Sequence, residues 1–341
     1  MTNSKKSALA VAFAALLVLT LNSAAQDADH RIQTNLRGVE SAPEPPEGFD
    51  PTTASDRDLE DFGFPPRPDS LTHPEFYARW VKVITASRQR IVPELKITGR
   101  FHGPAQRVTK DNGAVNTYNW SGATQTTAAT AYGASSAYFV MAEYVVPTAN
   151  QAFGTCNGGW DYSSTWAGLD GYGSNDVLQA GTDSDALCIS YLLGHYNAWI
   201  EWFPLPEMQI ANLPVNAGDD IVVEVWSTSA TQGHVYFANL NTGQNASLSI
   251  AAPAGTRLVG NSAEWVVERP SVNGRIATLT NYITDYLSDC LAYTQNGEVL
   301  YPGSASATQL IMLDNNSQTI SEPIPLGPYG LWLEDTGSAR Y

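Results

Sequence analysis

The alternation of apolar and polar positions divides the 341-residue chain into distinct parts. An apolar stretch from Ala8 to Leu21 follows two lysines and ends in small residues, a pattern that predicts a secretory signal over residues 1–25. Residues 26–69 are rich in proline and acids, which predicts an extended or disordered leader. From about Val115 onward, short alternating runs separated by turn clusters predict β-strands.

One helix is predicted between the leader and the strands. Between His73 and Arg90 the apolar residues recur at helical spacing, and the cations lie off that stripe. We therefore predict a leader or propeptide over residues 26–110 with a basic amphipathic helix near 73–90, and an all-β sandwich over 111–341. The apolar stripe consists of Phe76, Trp80, Val83 and Ile84, and the strand runs include Ala137–Val146, Asp220–Ser227 and Arg275–Asn281.

Charge changes sign along the chain. Residues 73–110 hold eight Lys or Arg against two acids, whereas residues 111–341 hold four Arg, no Lys and 21 acids. A domain with this excess of acids repels nucleic acid and anionic membranes, which disfavours both as partners. Either an acidic working environment or selection for solubility accounts for this charge. No later segment approaches the ~20 apolar residues of a transmembrane helix, so we predict no membrane contact after signal removal, and a monomer.

The cysteines and histidines indicate neither a metal site nor a thiol nucleophile. Cys156, Cys188 and Cys290 form no C-x-x-C pair, and the five histidines are scattered. Oxidation is expected in an exported chain. We predict one disulfide, Cys156–Cys188, because both residues flank the same motif region, and it leaves an odd thiol. No cofactor is predicted.

Four motifs follow one another between Asn119 and Glu268. They are N-W-S-G-A at 119–123, T-W-A-G-L-D-G at 165–171 continuing to L-Q-A-G at 178–181, Y-N-A-W-I-E-W-F-P at 196–204, and S-A-E-W-V-V-E at 262–268. None would suffice alone, but their order resembles the glutamic peptidases, also called eqolisins or peptidase family G1. The resemblance implies an endopeptidase with a concanavalin A or legume-lectin-like sandwich of two antiparallel sheets, preceded here by a partly disordered and helical extension.

The resemblance assigns a catalytic dyad to Gln179 and Glu264. In this family the glutamate activates a water, and the glutamine amide stabilises the tetrahedral intermediate. Such a pairing is physically reasonable, because hydrolysis needs a base near the attacking water and a donor near the developing oxyanion. The neighbouring or substrate-binding residues that the resemblance implies are Trp120, Trp166, Asp170, Asn197, Trp199 and Glu201. Trp202 is also predicted to line the peptide-binding cleft.

Some positions depart from the family pattern, and other functions remain open. Fungal members usually have Y-D-A-W-Y-E-W-Y-P, so Asn197, Ile200 and Phe203 mark a divergent member, for which a bacterial origin is one interpretation. One alternative is a lectin-like carbohydrate-binding sandwich without peptidase activity. Another is a glycoside hydrolase that uses Glu201 and Glu264, whose carboxyl groups would then lie ~5 to 9.5 Å apart. For the peptidase, the partners are protein or peptide substrates.

Overall fold

The computed structural model describes residues 31–111, 114–152, 158–188 and 192–336. The predicted signal over residues 1–25 lies outside these ranges. The predicted Cys156–Cys188 disulfide also lies outside the described part of the chain, because Cys156 and the side chain of Cys188 are not described. Cys290 is a free, buried thiol. Within the described ranges, no helix is both long and apolar enough to cross a membrane.

Short elements make up the N-terminal part of the described chain. They are β1 (Ile32–Gln33), β2 (Val39–Ser41), α1 (Asp56–Asp61), α2 (Pro74–Ala86), β3 (Gln89–Arg90), β4 (Leu95–Ile97), β5 (Arg100–Phe101) and β6 (Arg107–Asp111). Proline at the first position of α2 suits a helix start, because its missing N–H has no partner there in any case. The helix is shorter than the predicted range of 73–90, and β3 follows it.

Longer strands follow and build the body of the protein. They are β7 (Ala114–Thr117), β8 (Trp120–Thr126), β9 (Ala137–Val145), β10 (Trp160–Asp161), β11 (Ser164–Leu169), β12 (Val177–Cys188), β13 (Leu192–Phe203), β14 (Met208–Ile210), β15 (Asp220–Ser229), β16 (Gln232–Asn239), β17 (Gln244–Ala251), β18 (Ser262–Glu268), β19 (Ser271–Val272), β20 (Arg275–Ile276), β21 (Thr284–Thr294), β22 (Val299–Leu300), β23 (Thr308–Leu313), β24 (Thr319–Pro325) and β25 (Leu331–Asp335).

Two antiparallel sheets pack face to face, as predicted. The front sheet runs in the order β4–β14–β13–β12–β11–β18–β8–β23. The back sheet runs β21–β9–β15–β16–β17–β2–β1. Alternate residues point inward and form the core, among them Ile200 and Trp265 of the front sheet and Val223 and Phe237 of the back sheet. Trp265 Nε1 also donates to the Met141 carbonyl across the sandwich, at 2.8 Å.

Helix α2 adds a third layer outside the back sheet. Its apolar stripe packs in one buried cluster with Met141, Val222, Trp226, Tyr236 and Leu291 of the sheet's outer face. Charge supplements this packing, since Lys82 Nζ lies 2.7 Å from Glu143 Oε1 and Arg79 pairs with Asp289. Both the hydrophobic and the ionic contacts therefore hold the N-terminal segment on the sandwich.

Two expectations from the sequence are corrected. The leader is not disordered over residues 31–69, because β1 and β2 extend the back sheet, and Phe49 packs edge-on against Phe62 at 4.9 Å and stacks on Phe64 at 5.7 Å. The run Arg275–Asn281 is a strand only at Arg275–Ile276. Beyond it, single bridges to other segments replace a continuous ladder.

Candidate active site

A row of side chains crosses the front sheet on its outer face, which we call the cleft face. Gln179 of β12 and Glu264 of β18 both lie directly opposite Gly168 of β11, one on each side. Directly opposed residues project to the same face of a sheet, so the two side chains flank a residue that has none. With strands about 4.8 Å apart, their Cα atoms are roughly 10 Å apart. A Cβ at Gly168 would lie 3.0 Å from both Gln179 Cβ and the Trp166 ring, which favours glycine.

The row continues with polar residues on either side of the pair. Glu201 of β13 lies opposite Gln179, and Thr124 of β8 lies opposite Glu264. Thr124 Oγ1 donates to Glu264 Oε1 at 3.2 Å. Among the described groups, neither Glu264 Oε2 nor Gln179 Oε1 has a hydrogen-bond partner, although both are buried. Burial raises the pKa of Glu264 well above its usual range, and hydrogen bonds with Ser262 and Thr124 oppose that rise.

Three tryptophans line the cleft face beside this row. Trp120, Trp166 and Trp199 belong to one buried cluster on that face. The rings of Trp120 and Trp166 meet edge-on at 4.9 Å, and Trp166 Nε1 donates to Glu268 Oε2 at 2.9 Å. The prediction for Trp202 is wrong: strand alternation turns it into the core between the sheets, where it packs with apolar side chains.

Asn197 and Asp170 support neighbouring parts of the face. Asn197 Nδ2 donates to Asp183 Oδ2 at 3.3 Å, and its Oδ1 accepts from Gln209 at 2.6 Å. Asp170 follows β11 in a left-handed conformation with φ of 67°. Its carboxylate accepts the backbone N–H groups of residues 259 and 261 at 2.7 and 2.8 Å. Asp170 therefore fixes the loop that leads into β18 and Glu264.

Residues 100–106, which we call the strap, lie across the cleft face. Gln179 Nε2 donates to the His102 carbonyl oxygen at 2.5 Å. The His102 N–H lies 3.1 Å from both carboxylate oxygens of Glu201. The His102 ring stacks on Trp199 with centroids 3.9 Å apart and planes 2° apart. The side chains of Gln179 and Glu201 beneath the strap are fully buried, and that of Glu264 is fully buried as well.

The strap inserts two cationic side chains among carboxylates. Arg100 donates to Asp183 Oδ2 at 2.5 Å and also pairs with Asp185. His102 Nε2 lies 3.2 Å from Glu207 Oε2, and Nδ1 lies 3.4 Å from Glu268 Oε2.

These contacts shift the pKa values of the groups. Burial opposes a charge on His102, but its hydrogen bonds to Glu207 and Glu268 outweigh burial and raise its pKa well above the usual range. Burial raises the pKa of Asp185 to about 6, against the effects of His195 and Arg100.

His102 belongs to no motif and is one of five scattered histidines, so local pattern does not predict its place in the site. Its only sequence signal is its place two residues after Arg100 in the cationic stretch. Among the described residues, His102, Asp183 and Glu207 bring one possible metal-ligand atom each within 4.8 Å of the others. Arg100 and the His102–Glu207 contact already use these atoms, so the group is an ion-pair network.

The spacing between Glu201 and Glu264 argues against the glycosidase alternative. Glu201 and Glu264 are three strand spacings apart, roughly 14 Å between Cα atoms, with Gln179 and Gly168 between them. Side chains that project side by side from a sheet keep about that spacing, which exceeds the ~5 to 9.5 Å of paired glycosidase carboxyl groups. The Glu264 carboxylate and the Gln179 amide lie closer together, because only Gly168 separates them across the sheet.

Comparison with known proteins agrees with the motifs. The model of the peptidase A4 family matches residues 118–323. Aspergillopepsin-2 of Aspergillus niger is 25% identical over 249 residues, which cover 65% of this chain and 84% of that protein. Scytalidopepsin B of Scytalidium lignicola is 25% identical over 245 residues, covering 69% and 85%.

The fold agrees as well. A crystal structure of scytalido-glutamic peptidase with a transition state analog inhibitor matches with a TM-score of 0.53 at 24% identity, over 64% of this chain and 98% of that chain. The match spans most of the shorter protein, so its fold is contained in this one. The family match covers more than half of the present sequence, and the resemblance predicted from the motifs is confirmed: the chain belongs to the peptidase A4 family, the glutamic peptidases or eqolisins, and is a hydrolase that acts on peptide bonds.

Proposed function

We propose that this protein is an exported endopeptidase in which Glu264 is the general base and Gln179 stabilises the oxyanion, acting on proteins at acidic pH. The observation that carries the proposal is the placement of both side chains on one face, on either side of Gly168. A second observation supports it: the Gln179 amide already donates to a backbone carbonyl, that of His102.

The proposed reaction uses only groups of the chain and water. Ionised Glu264 takes a proton from a water held between it and Gln179, and the water oxygen bonds to the substrate carbonyl carbon. Gln179 Nε2 donates to the oxygen that becomes negative. Protonated Glu264 then returns the proton to the amide nitrogen, the C–N bond breaks, and a carboxylic acid and an amine leave. Because full burial raises the pKa of Glu264, opening the cleft to solvent favours the ionised base.

The N-terminal segment up to about Lys110 is proposed to be a propeptide, and the strap its inhibitory part. The strap occupies the positions in front of Gln179 and Glu201 that a substrate backbone would need. The ionisable groups that face Arg100 and His102, or pair with their partners, from the surrounding strands and loops are Tyr162, Asp183, Asp185, His195, Glu201, Glu207 and Glu268.

Acid release is proposed because the carboxylates of residues 111–341 lose charge as the pH falls, which weakens their attraction to the cationic segment that holds Arg100. The buried groups under the strap oppose it: burial raises the pKa of Asp183 and Asp185 more than Arg100 lowers it, and losing the strap removes both the cation and the burial. Release therefore gives up protons at these two groups, and they favour closure below about pH 6, the pKa of Asp185. His102 does not reverse this: its raised pKa keeps it protonated throughout that range, so its contribution is constant there and is lost only at higher pH.

Export rests on the predicted signal over residues 1–25, and an extracytoplasmic location follows from it. Such a location fits a peptidase that is made as an inactive precursor. The acidic surface of residues 111–341 then serves a protein that works in acid, where many of its carboxylates are neutral.

Hydrolysis of acid-denatured protein by purified variants tests the proposal. Glu264→Gln and Gln179→Ala should each abolish peptidase activity and leave the circular dichroism spectrum unchanged. Glu322→Gln, the same chemical change on β24 outside the cleft, is the matched control and should keep full activity. Near-normal turnover by either dyad variant would refute the assignment. Sugar binding without any proteolysis would favour the lectin alternative instead.

A further inference from the structure

Thr124 lies beside the proposed base, on the side away from Gln179. It is the residue of β8 directly opposite Glu264, and its side chain is fully buried. We propose that Thr124 is a positioning residue: its hydroxyl holds Glu264 Oε1 and leaves Oε2 as the oxygen that takes the proton from water. The inference rests on the proposed function, because it concerns the same base, and it adds the residue that orients that base.

The contacts of the Glu264 carboxylate distinguish its two oxygens. Thr124 Oγ1 donates to Oε1 at 3.2 Å, whereas Oε2 is buried and has no hydrogen-bond partner among the described groups. A hydrogen bond to one oxygen restricts the rotation of the carboxylate and stabilises the negative charge on that oxygen. The oxygen without a donor is the stronger base, so Oε2 is the atom left for the proton.

The order of side chains across the cleft face places the anchor behind the base. The row runs Gln179, Gly168, Glu264 and Thr124 from β12 to β8. Directly opposed residues project to the same face of a sheet, so Gln179 and Thr124 flank Glu264 from opposite sides. Only Gly168, which has no side chain, stands between the base and the amide. A water between Glu264 and Gln179 therefore meets the carboxylate on the side that Thr124 does not hold.

The groups around Glu264 change its pKa in both directions. Burial raises it, and the charge of Asp170 at the end of β11 raises it further, whereas hydrogen bonds with Ser262, with Thr124 and with the Tyr172 N–H lower it. The Ser262 hydroxyl also donates to the side-chain oxygen of the preceding residue at 3.2 Å, so its single proton has two acceptors. Because a general base must be ionised to act, removing the Thr124 hydroxyl weakens the base at acidic pH.

Steady-state kinetics of acid-treated protein between pH 3 and pH 7, with acid-denatured casein as substrate, test this role. Thr124→Val keeps the branched shape and removes the hydroxyl. It should lower kcat roughly 10- to 100-fold, the usual weight of a hydrogen bond to a charged group, with little change in KM, because Thr124 lies behind the base. The acid limb of the kcat profile should move to higher pH, since the pKa of Glu264 rises without this donor. Thr124→Ser keeps the hydroxyl and should restore both.

Thr308→Val is the matched control. Thr308 lies opposite Thr124 on β23, one strand farther from Glu264, so the same chemical change there should leave kcat and the acid limb as in the wild type. If Thr124→Val does not fold, Thr124→Ala and Thr124→Ser give the comparison, because both lose the methyl group and only serine keeps the hydroxyl.

The outcomes separate this inference from the proposed function. A hydroxyl-free variant with wild-type kcat and an unmoved acid limb overturns the positioning role and leaves the proposed function standing. A loss of kcat that serine does not restore, without a shift of the acid limb, is a structural effect and also overturns it. A Glu264→Gln protein that keeps its activity removes the proposed function, and the inference with it.

Discussion

Replacing Arg100 by methionine should open the cleft of the uncut precursor. The guanidinium is the partner of two carboxylates, Asp183 and Asp185, whose side chains are 0% exposed, and its own side chain is 15% exposed. Methionine keeps the apolar stem and removes the charge. With the strap in place, Arg100→Met leaves both carboxylates buried without their cation. Lifting the strap lets water reach them.

The size of the effect follows from the burial of the pair. Removing one partner of a buried ion pair costs about 3–5 kcal/mol. At 1.4 kcal/mol for each factor of ten, the closed state becomes roughly 100- to 4000-fold less favoured relative to the open state. The substitution destabilises the closed state of the strap and not the whole fold, because opening the strap is enough to expose the two carboxylates to water. The free energy of unfolding should therefore change much less than the latency.

The assay is the initial rate of hydrolysis of an internally quenched peptide at pH 6 by precursor whose N-terminus is verified as intact. Arg100→Met should exceed the wild type by at least tenfold before any processing. Arg88→Met is the matched control, since Arg88 is exposed, lies after the end of α2 and donates to the Thr85 carbonyl of that helix. An intact Arg100→Met precursor that is as latent as the wild type, with equal activity after acid treatment, would refute the reasoning.

Further expectations concern the dyad, pH, the helix and the thiol. Gln179→Ala should lower kcat of the matured enzyme about 100- to 1000-fold with little change in KM; a tenfold loss or less would contradict the oxyanion role. Hydrolysis by the matured enzyme should be fastest on the acid side of neutrality, because the carboxylates of residues 111–341 lose their mutual repulsion there, and pepstatin should not inhibit it; a rate that climbs steadily from pH 4 to pH 8 would exclude this. Trp80→Ala should reduce the free energy of unfolding by about 3–5 kcal/mol in urea titrations, because Trp80 is 3% exposed, whereas exposed Leu71→Ala should change it little; equal effects would argue against the third layer. Because Cys290 is buried and burial raises its pKa well above the usual range, a thiol-reactive dye should label it only on unfolding; rapid labelling of native protein would contradict its placement.

Strand alternation and the motifs together predicted the sandwich and the residues on its cleft face. In Y-N-A-W-I-E-W-F-P, a period of two places Trp199 and Glu201 on one face, and the register with β12 puts Glu201 beside Gln179. Trp202 was assigned to the cleft because it shares the motif, but the same alternation turns it into the core. Within a strand, the period of two is the better guide to which face a side chain occupies.

The strap could not be predicted from local pattern. It is an irregular segment that includes only the two-residue β5, and its contacts join residues far apart in the chain, as between His102 and Gln179. Periodicity reports how a segment places its own side chains, and carries no information on where an irregular segment docks. Charge predicts part of this contact, because the sequence has a cationic stretch over residues 73–110 and an anionic domain that attracts it.

Helix α2 gives processing of the proposed propeptide an unusual thermodynamic consequence. Any cut within the strap turns one chain into two, yet the hydrophobic contacts of α2 and the sheet pairing of β2 to β4 still hold the part before the cut to the rest. Binding of the released segment to the folded body then stabilises that body by mass action, and the apparent stability depends on concentration. The processed protein should lose thermal stability on dilution, as a heterodimer does, although a single gene product supplies both partners.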